Sequence, residues 1–239
     1  MDTLRNKTAL ITGASRGIGR ALALELAMHG MKLGLLARSE PDLQELGTTL
    51  EIMGAEYLLA VGDVGDESFT DSAMRSFIHR FGRLDILVNN AGYGLFKAAE
   101  EFTVEEWDGV MDTNVKGSFL MCRAAIPHMK EQGSGHIINI ASDVAKRTFS
   151  GGSLYCASKY AQDAFSASLR KELRSHGIKV SVVYSGLVDS SFHAEPQGAT
   201  SHRGWLRNED MARSIAFIAA QPAHVVIDEL MIHPLSQEY

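Results

Sequence analysis

The chain has 239 residues, 45% of them hydrophobic and 22% charged, a composition ordinary for a globular protein and a length that fits one large α/β domain. A formal net charge of −6 with no basic run excludes a nucleic-acid surface, and no run of about 18 apolar residues is present to span a bilayer. Residues 1–7 lack the apolar core of a signal peptide, so the expected location is the cytoplasm. Two cysteines, Cys122 and Cys156, read as reduced, incidental thiols. Cys156 adjoins Tyr155 but has no histidine near it in sequence to activate it, so core packing is expected. The nine histidines show no HExxH pattern, there is no CxxC, and no metal site is expected.

Residues 8–11 form an apolar strand that runs into Thr12-Gly13-Ala14-Ser15-Arg16-Gly17-Ile18-Gly19, followed by a helical pattern over 20–29. Glycines between a buried strand and a helix permit a tight turn and close backbone approach to a pyrophosphate, which then sits on the helix N-terminus. The spacing is Gly-x-x-x-Gly-x-Gly, not the Gly-x-Gly-x-x-Gly fingerprint. A second strand, 32–37, ends in Ala37-Arg38-Ser39. An NAD-preferring site places an acid here, on the ribose 2′-hydroxyl. Arg38, with Ser39 and Arg16 nearby, suits a 2′-phosphate instead, so the expected cofactor is NADP(H).

Residues 40–53 read as a helix with Pro41 tolerated in its first turn, and 57–61 as a strand closed by Gly62-Asp63-Val64. A third helix covers 66–81, and the strand 86–88 leads into Asn89-Asn90-Ala91-Gly92. One long helix from 105 to about 130 carries Asn114 in its middle. Strand 137–141 is a short, β-branched run that delivers Ser142 at its C-terminal end.

The helix 155–176 follows, with Tyr155 and Lys159 four apart and therefore on one face. A free tyrosine, with a pKa near 10, is a poor proton shuttle at neutral pH. A cation one turn away favours the phenolate, so this pair reads as an acid/base in which Lys159 lowers the pKa of Tyr155. Residues 179–184 are a sixth strand. The segment 186–207, holding His193, His202, Arg203 and Trp205, is long and irregular and leaves the C-terminal end of a parallel strand, which reads as a substrate lid. A last helix spans 210–220 with Asn208 as its N-cap, and 225–232 is the seventh strand. Alternating strands and helices without repeats or linkers imply a single α/β domain over 1–239. Its expected form is a Rossmann-type, doubly wound, seven-stranded and mainly parallel sheet with helices on both faces.

Thr12-Gly13-x-x-x-Gly17-x-Gly19, Asp63-Val64, Asn89-Asn90-Ala91-Gly92, Asn114, Ser142 and Tyr155-x-x-x-Lys159 stand in an order and at separations that resemble the short-chain dehydrogenase/reductase family over essentially the whole chain. The resemblance implies a catalytic tetrad. Tyr155 is the acid/base, Ser142 binds and orients the substrate oxygen, and Lys159 lowers the Tyr155 pKa and holds the nicotinamide ribose. Asn114 stabilises a water in a proton relay from Lys159. It also implies that the turn from Gly13 through Ser15, Arg16, Gly17, Ile18 and Gly19 cradles the pyrophosphate. Asp63 and Val64 meet adenine, Asn90, Ala91 and Gly92 form the cofactor floor, and Gly186, Val188 and Ser190 lie by the nicotinamide.

One departure is Ser185-Gly186, where the family commonly has Pro-Gly; losing the proline loosens a turn near the nicotinamide. The C-terminal run Val225-Val226-Ile227-Asp228-Glu229-Leu230-Met231-Ile232-His233-Pro234 resembles bacterial sepiapterin-reductase-like and 3-hydroxy-acid dehydrogenase-like members. Similar proteins pair the helices after Glu105 and Tyr155 into homodimers or homotetramers. The expected activity is NADPH-dependent reduction of a small ketone, sepiapterin-like or a diketone. The alternatives are 3-oxoacyl or 3-hydroxy-acid dehydrogenase chemistry, or a non-catalytic NADP(H)-binding regulator, for which a complete tetrad has no use.

Overall fold

A computed structural model describes residues 2–238. Nine strands are present among them: β1 (Thr8–Thr12), β2 (Lys32–Ala37), β3 (Tyr57–Val61), β4 (Ile86–Asn89), β5 (Gly135–Ile140), β6 (Ile178–Ser185), β7 (Val188–Asp189), β8 (Leu206–Arg207) and β9 (Glu229–Ile232). Seven of them make one sheet in the order β3-β2-β1-β4-β5-β6-β9, and every neighbouring pair is parallel. The helices are α1 (Gly17–Met28), α2 (Glu40–Ile52), α3 (Glu67–Phe81), α4 (Val104–Met111), α5 (Gly117–Gln132), α6 (Ser153–Leu173) and α7 (Asn208–Ala219).

Side chains alternate across a strand, so a strand buried on both faces feeds two cores. Ala9 and Ile11 of β1 and Leu33 and Leu35 of β2 pack with Leu22 and Leu26 of α1, Leu43 and Leu46 of α2 and Met211 and Ile215 of α7. Leu10 and Leu36 point the other way, to Phe77 of α3, Met121 of α5 and Leu169 of α6. Burying each such side chain contributes roughly 1.5–3 kcal/mol, which is why the strands read as unbroken apolar runs. Strand order reverses between β1 and β4, and the C-terminal ends of the strands open a crevice there, where ligands bind in folds of this kind.

Four local readings of the sequence need correction. The single helix expected over 105–130 is two helices joined by a π-turn, Asp112–Lys116. The segment 186–207 is not structureless: β7 pairs with β8 at its base, and Thr200–His202 forms a 3₁₀ turn. Asn208 is the first residue of α7 rather than its cap. Its side chain is buried and donates to the Asp189 carbonyl (3.3 Å), while Asp210 reaches back to accept from the Arg207 amide (2.8 Å). The last strand is shorter than 225–232 because a turn closes Val225 onto the Pro222 carbonyl (3.0 Å) and Lys179 takes the Gln221 and Val225 carbonyls (3.1 and 3.2 Å). Among the described residues no helix is long and apolar enough to cross a membrane, and no group of His, Cys, Asp and Glu is arranged to hold a metal ion.

Candidate active site

The end of β5 and the first turns of α6 carry three of the side chains expected to be catalytic. Ser142 follows β5 in extended backbone, buried, with its hydroxyl within 3.1 Å of Asp143 Oδ1 and 3.3 Å of the Ser185 carbonyl. Tyr155 and Lys159 lie one turn apart on α6, both buried, with Lys159 Nζ 5.8 Å from the centre of the Tyr155 ring. Lys159 donates to the Ile140 carbonyl (2.9 Å) and to Gln162 Oε1 (3.1 Å). Gln162 donates in turn to Ser118 Oγ (2.9 Å), and Ser118 donates to the Asn114 carbonyl (3.0 Å).

Asn114 sits inside the π-turn and is fully buried. Its Oδ1 accepts from the Tyr93 amide (3.0 Å), and its Nδ2 donates to the Tyr93 carbonyl (2.9 Å) and to Ser158 Oγ (3.0 Å). The side chain thus pairs with a backbone unit as a second backbone would. A π-turn adds one residue to the helical register and re-aims that residue, and such turns recur at functional sites.

Burial pushes the Tyr155 phenol above its ordinary value, with the Ser142 hydroxyl opposing and the Asp143 charge adding to the rise. Burial also pulls Lys159 down to about 8. The net shift of Tyr155 is therefore upward in the chain alone, with burial outweighing the lowering expected from Lys159. The ammonium turns toward Ile140 and Gln162 and is itself desolvated, so in the chain alone it does not offset the burial of the phenol.

The same residues border a cavity of about 730 Å³ that reaches from Phe192 and Tyr155 to the turn after β1 and the end of β2. Gly13 has φ +65°, and a Cβ there would come within 2.9 Å of the Ala91 Cα; one on Gly19 would meet the Gly13 carbonyl at 2.3 Å. The turn is therefore pressed against Asn90-Ala91. Asn90 Nδ2 donates to the Thr12 and Gly13 carbonyls (3.0 and 3.1 Å), and the Thr12 hydroxyl accepts from the Asn90 and Ala91 amides (both 3.0 Å). Next to it α1 starts at Gly17 with no side-chain cap on Arg16, leaving its leading amides for an anion. Arg38, exposed, and Asp63, half-buried, face each other across 3.7 Å at the far end. A bare helix start, glycines that admit a close backbone and a cation beyond them fit a dinucleotide with its phosphates on α1.

All of the cofactor and catalytic residues expected from the sequence line this cavity except two. Gly19 lies beneath the turn, and Asn114 stands behind the wall.

A family model described as short chain dehydrogenase matches residues 7–200. The chain belongs to the short-chain dehydrogenase family. Its relatives include an uncharacterized oxidoreductase of Staphylococcus epidermidis, 34% identical over 98% of this chain and 100% of the relative, and one of Staphylococcus aureus at 34% over the same shares. An alcohol dehydrogenase from the archaeon Thermococcus sibiricus, complexed with 5-hydroxy-NADP, superposes with a TM-score of 0.93 at 30% identity over 98% of this chain and 99% of that one. A serine dehydrogenase complexed with NADP+ gives 0.89 at 32% identity over 97% and 96%.

In this short-chain dehydrogenase the turn that lacks a proline is held by the C-terminal tail, which sequence reading missed. Gly186 donates its amide to the Ile232 carbonyl (2.8 Å). Gln237 accepts from the Leu187 amide (2.8 Å) and donates to Asp143 Oδ2 (2.7 Å). Arg147 donates to that same oxygen from Nε (2.9 Å), and His233 Nε2 lies 3.4 Å from it. Asp143, only 4% exposed, is thus a hub between Ser142, the tail and the turn. Gln237→Ala leaves the Leu187 amide and one bond to a buried carboxylate unmade, and is expected to lower the unfolding free energy by about 2 kcal/mol in urea denaturation. An unchanged midpoint would show that the tail does not hold the turn.

Of the residues singled out in 186–207, His193 lines the cavity and packs on Trp205 (4.8 Å), while His202 stacks on Trp205 (4.1 Å) and bonds Asp189 (2.7 Å). The Gly198 amide and His202 hold the Asp189 carboxyl below the usual carboxylate range. Both cysteines are buried, and Cys122, desolvated, is pushed up to about 12. Phe96, Phe149 and Phe192 also line the cavity, unannounced by any motif.

Proposed function

We propose that this short-chain dehydrogenase reduces a small ketone with NADPH, Tyr155 giving the proton. The observation that carries the reading is that Tyr155, Ser142 and Lys159 open onto one cavity whose other end is the glycine-rich turn and Arg38. When bound, the dinucleotide supplies the hydride, which the chain itself cannot. Tyr155, kept protonated by burial, is in the state to donate at the carbonyl oxygen as charge develops there. Ser142 has two alternative acceptors at 3.1 and 3.3 Å and can turn its hydroxyl to the same oxygen. Lys159 favours the phenolate that remains, and Asn114, through Ser118 and Gln162, fixes the ammonium. Asn114's wider role as part of a proton relay belongs to the same proposal.

Arg38 and Ser39 at the end of β2 support NADPH over NADH, as do neighbours solved in complex with NADP. The segment 186–207, pinned at its base by β7 and β8, acts as the substrate lid. The half-exposed Trp107, Phe119 and Tyr160 on α4, α5 and α6 support a homo-oligomer, dimer or tetramer, built on those helices.

The test is NADPH against NADH oxidation with sepiapterin, a diketone, an aryl ketone and a β-keto ester, the last covering 3-oxoacyl chemistry. Turnover with NADPH is expected, and a preference for NADH overturns the Arg38 argument. Arg38→Asp removes a charge-assisted contact to the 2′-phosphate and is expected to raise the KM for NADPH roughly 10- to 100-fold, narrowing the NADPH/NADH ratio by that factor.

A further inference from the structure

Three phenylalanines from three separate segments gather beside Tyr155, Phe96 and Phe192 against its ring and Phe149 against Phe96. The Phe96 ring lies 5.6 Å from the Tyr155 ring and nearly perpendicular to it, 6.2 Å from Phe192 and 5.8 Å from Phe149; Phe192 is 5.4 Å from Tyr155. None of the four pairs is stacked, so the rings turn both edges and faces toward the space between them. A flat aromatic guest meets edge-to-face partners in such a setting. Phe96 and Phe149 are 48% and 40% exposed although they line a cavity, so apolar surface is left for a ligand to cover.

The backbone is cut to admit these rings. A Cβ on Gly94 would stand 2.8 Å from the Phe96 Cζ, 3.0 Å from the Phe192 Cζ and 3.1 Å from the Tyr155 Cδ2. A Cβ on Gly152 would stand 2.4 Å from the Phe149 Cζ. Val144 adds to an apolar wall that Cys156 backs from the core, and the polar pole of that wall is the Ser142–Tyr155 pair. Arg147 also lines this end, but it spends Nε and Nη2 on the buried Asp143 carboxylate. A substrate carboxylate would have to compete with Asp143 for that cation.

We infer that Phe96, Phe149 and Phe192 form a subsite for the aromatic ring of an aryl ketone whose carbonyl meets Tyr155 and Ser142. The inference rests on the reductase reading above and names its substrate class. In the reduction the carbonyl carbon gains a hydride from NADPH, which is oxidised to NADP+. The oxygen gains the proton of Tyr155, which solvent restores.

The test compares kcat/KM for 1-phenyl-1,2-propanedione and 2,3-pentanedione with NADPH, in the wild type and in Phe149→Leu and Phe192→Ala. Phe149→Leu keeps apolar bulk on an exposed position and removes only the ring. The aryl diketone is expected to be favoured at least tenfold, and both variants are expected to pull that ratio toward one through the KM of the aryl substrate. Turnover of both diketones with a ratio near one, or a ratio unmoved by either variant, overturns the subsite and leaves the reductase standing. If neither diketone turns over, the wider ketone panel judges the reductase reading, and calorimetric titration of acetophenone in the presence of NADP+ judges the subsite. Binding weakened at least tenfold by Phe149→Leu supports it, and no binding to the wild type overturns it.

Discussion

Tyr155→Phe is expected to lower kcat/KM for ketone reduction by about 10³-fold while NADPH still binds, because a positioned general acid contributes roughly 10²–10⁴-fold. The substitution removes one hydroxyl and little else. The ring of Tyr155 packs on Phe96, Phe192, Val144 and Cys156, and phenylalanine keeps those contacts. Ser142 loses the phenol beside it but retains Asp143 Oδ1 and the Ser185 carbonyl, so no buried donor is stranded. The phosphate end of the cavity is untouched. Single-turnover kinetics together with the fluorescence of bound NADPH separate the two effects. Turnover within tenfold of the wild type would remove Tyr155 as the acid and assign the proton to another group.

The sheet and the outline of the site were legible because they rest on short-range chemistry. Apolar β-branched runs such as 137–141 can be little else than buried parallel strands. The turn at Gly13–Gly19 announces itself by residues that alone tolerate the backbone approach seen at Gly13. Features that depend on long-range packing were not legible. The π-turn around Asn114 is stabilised by its amide pairing with Tyr93, 21 residues away, and leaves the apolar periodicity of 105–130 unbroken. Gln237 reaches Asp143 across 94 residues from a tail without a motif. The three phenylalanines meet only after the sheet has brought their loops to one end. The burial that raises Tyr155 is illegible in the sequence for a related reason. Spacing places Lys159 one turn away, but only the packed structure shows both groups desolvated and the ammonium aimed at Ile140.

That last point makes Lys159 the group expected to set the pH dependence of the proposed reduction. Its folded-state pKa is lowered to about 8 from an ordinary 10.5, whereas Tyr155 is raised and stays protonated well above neutrality. In the proposed reduction, proton donation leaves a phenolate that a charged Lys159 stabilises, so that mechanism needs Tyr155 protonated and Lys159 charged. Between pH 6 and about 8 both conditions hold and kcat/KM is expected to be flat. Above about 8 the charged fraction of Lys159 falls tenfold per pH unit, giving roughly a 100-fold loss by pH 10. Lys159→Met is expected to be slow at every pH and to lack this limb.

Stability moves the other way. Between about 8 and 10.5 the unfolded chain holds the Lys159 proton that the folded chain has released, so unfolding free energy rises with pH across that window. Below about 8 the cost of burying the charge, on the order of 3 kcal/mol, is fully present. Subtracting the Lys159→Met denaturation curve from the wild-type curve at each pH isolates this contribution from other titrating groups. A wild-type deficit that shrinks between pH 8 and 10 while activity falls would tie both trends to one ammonium. A basic limb that survives in Lys159→Met would assign the loss of activity to another group, Tyr155 first among them.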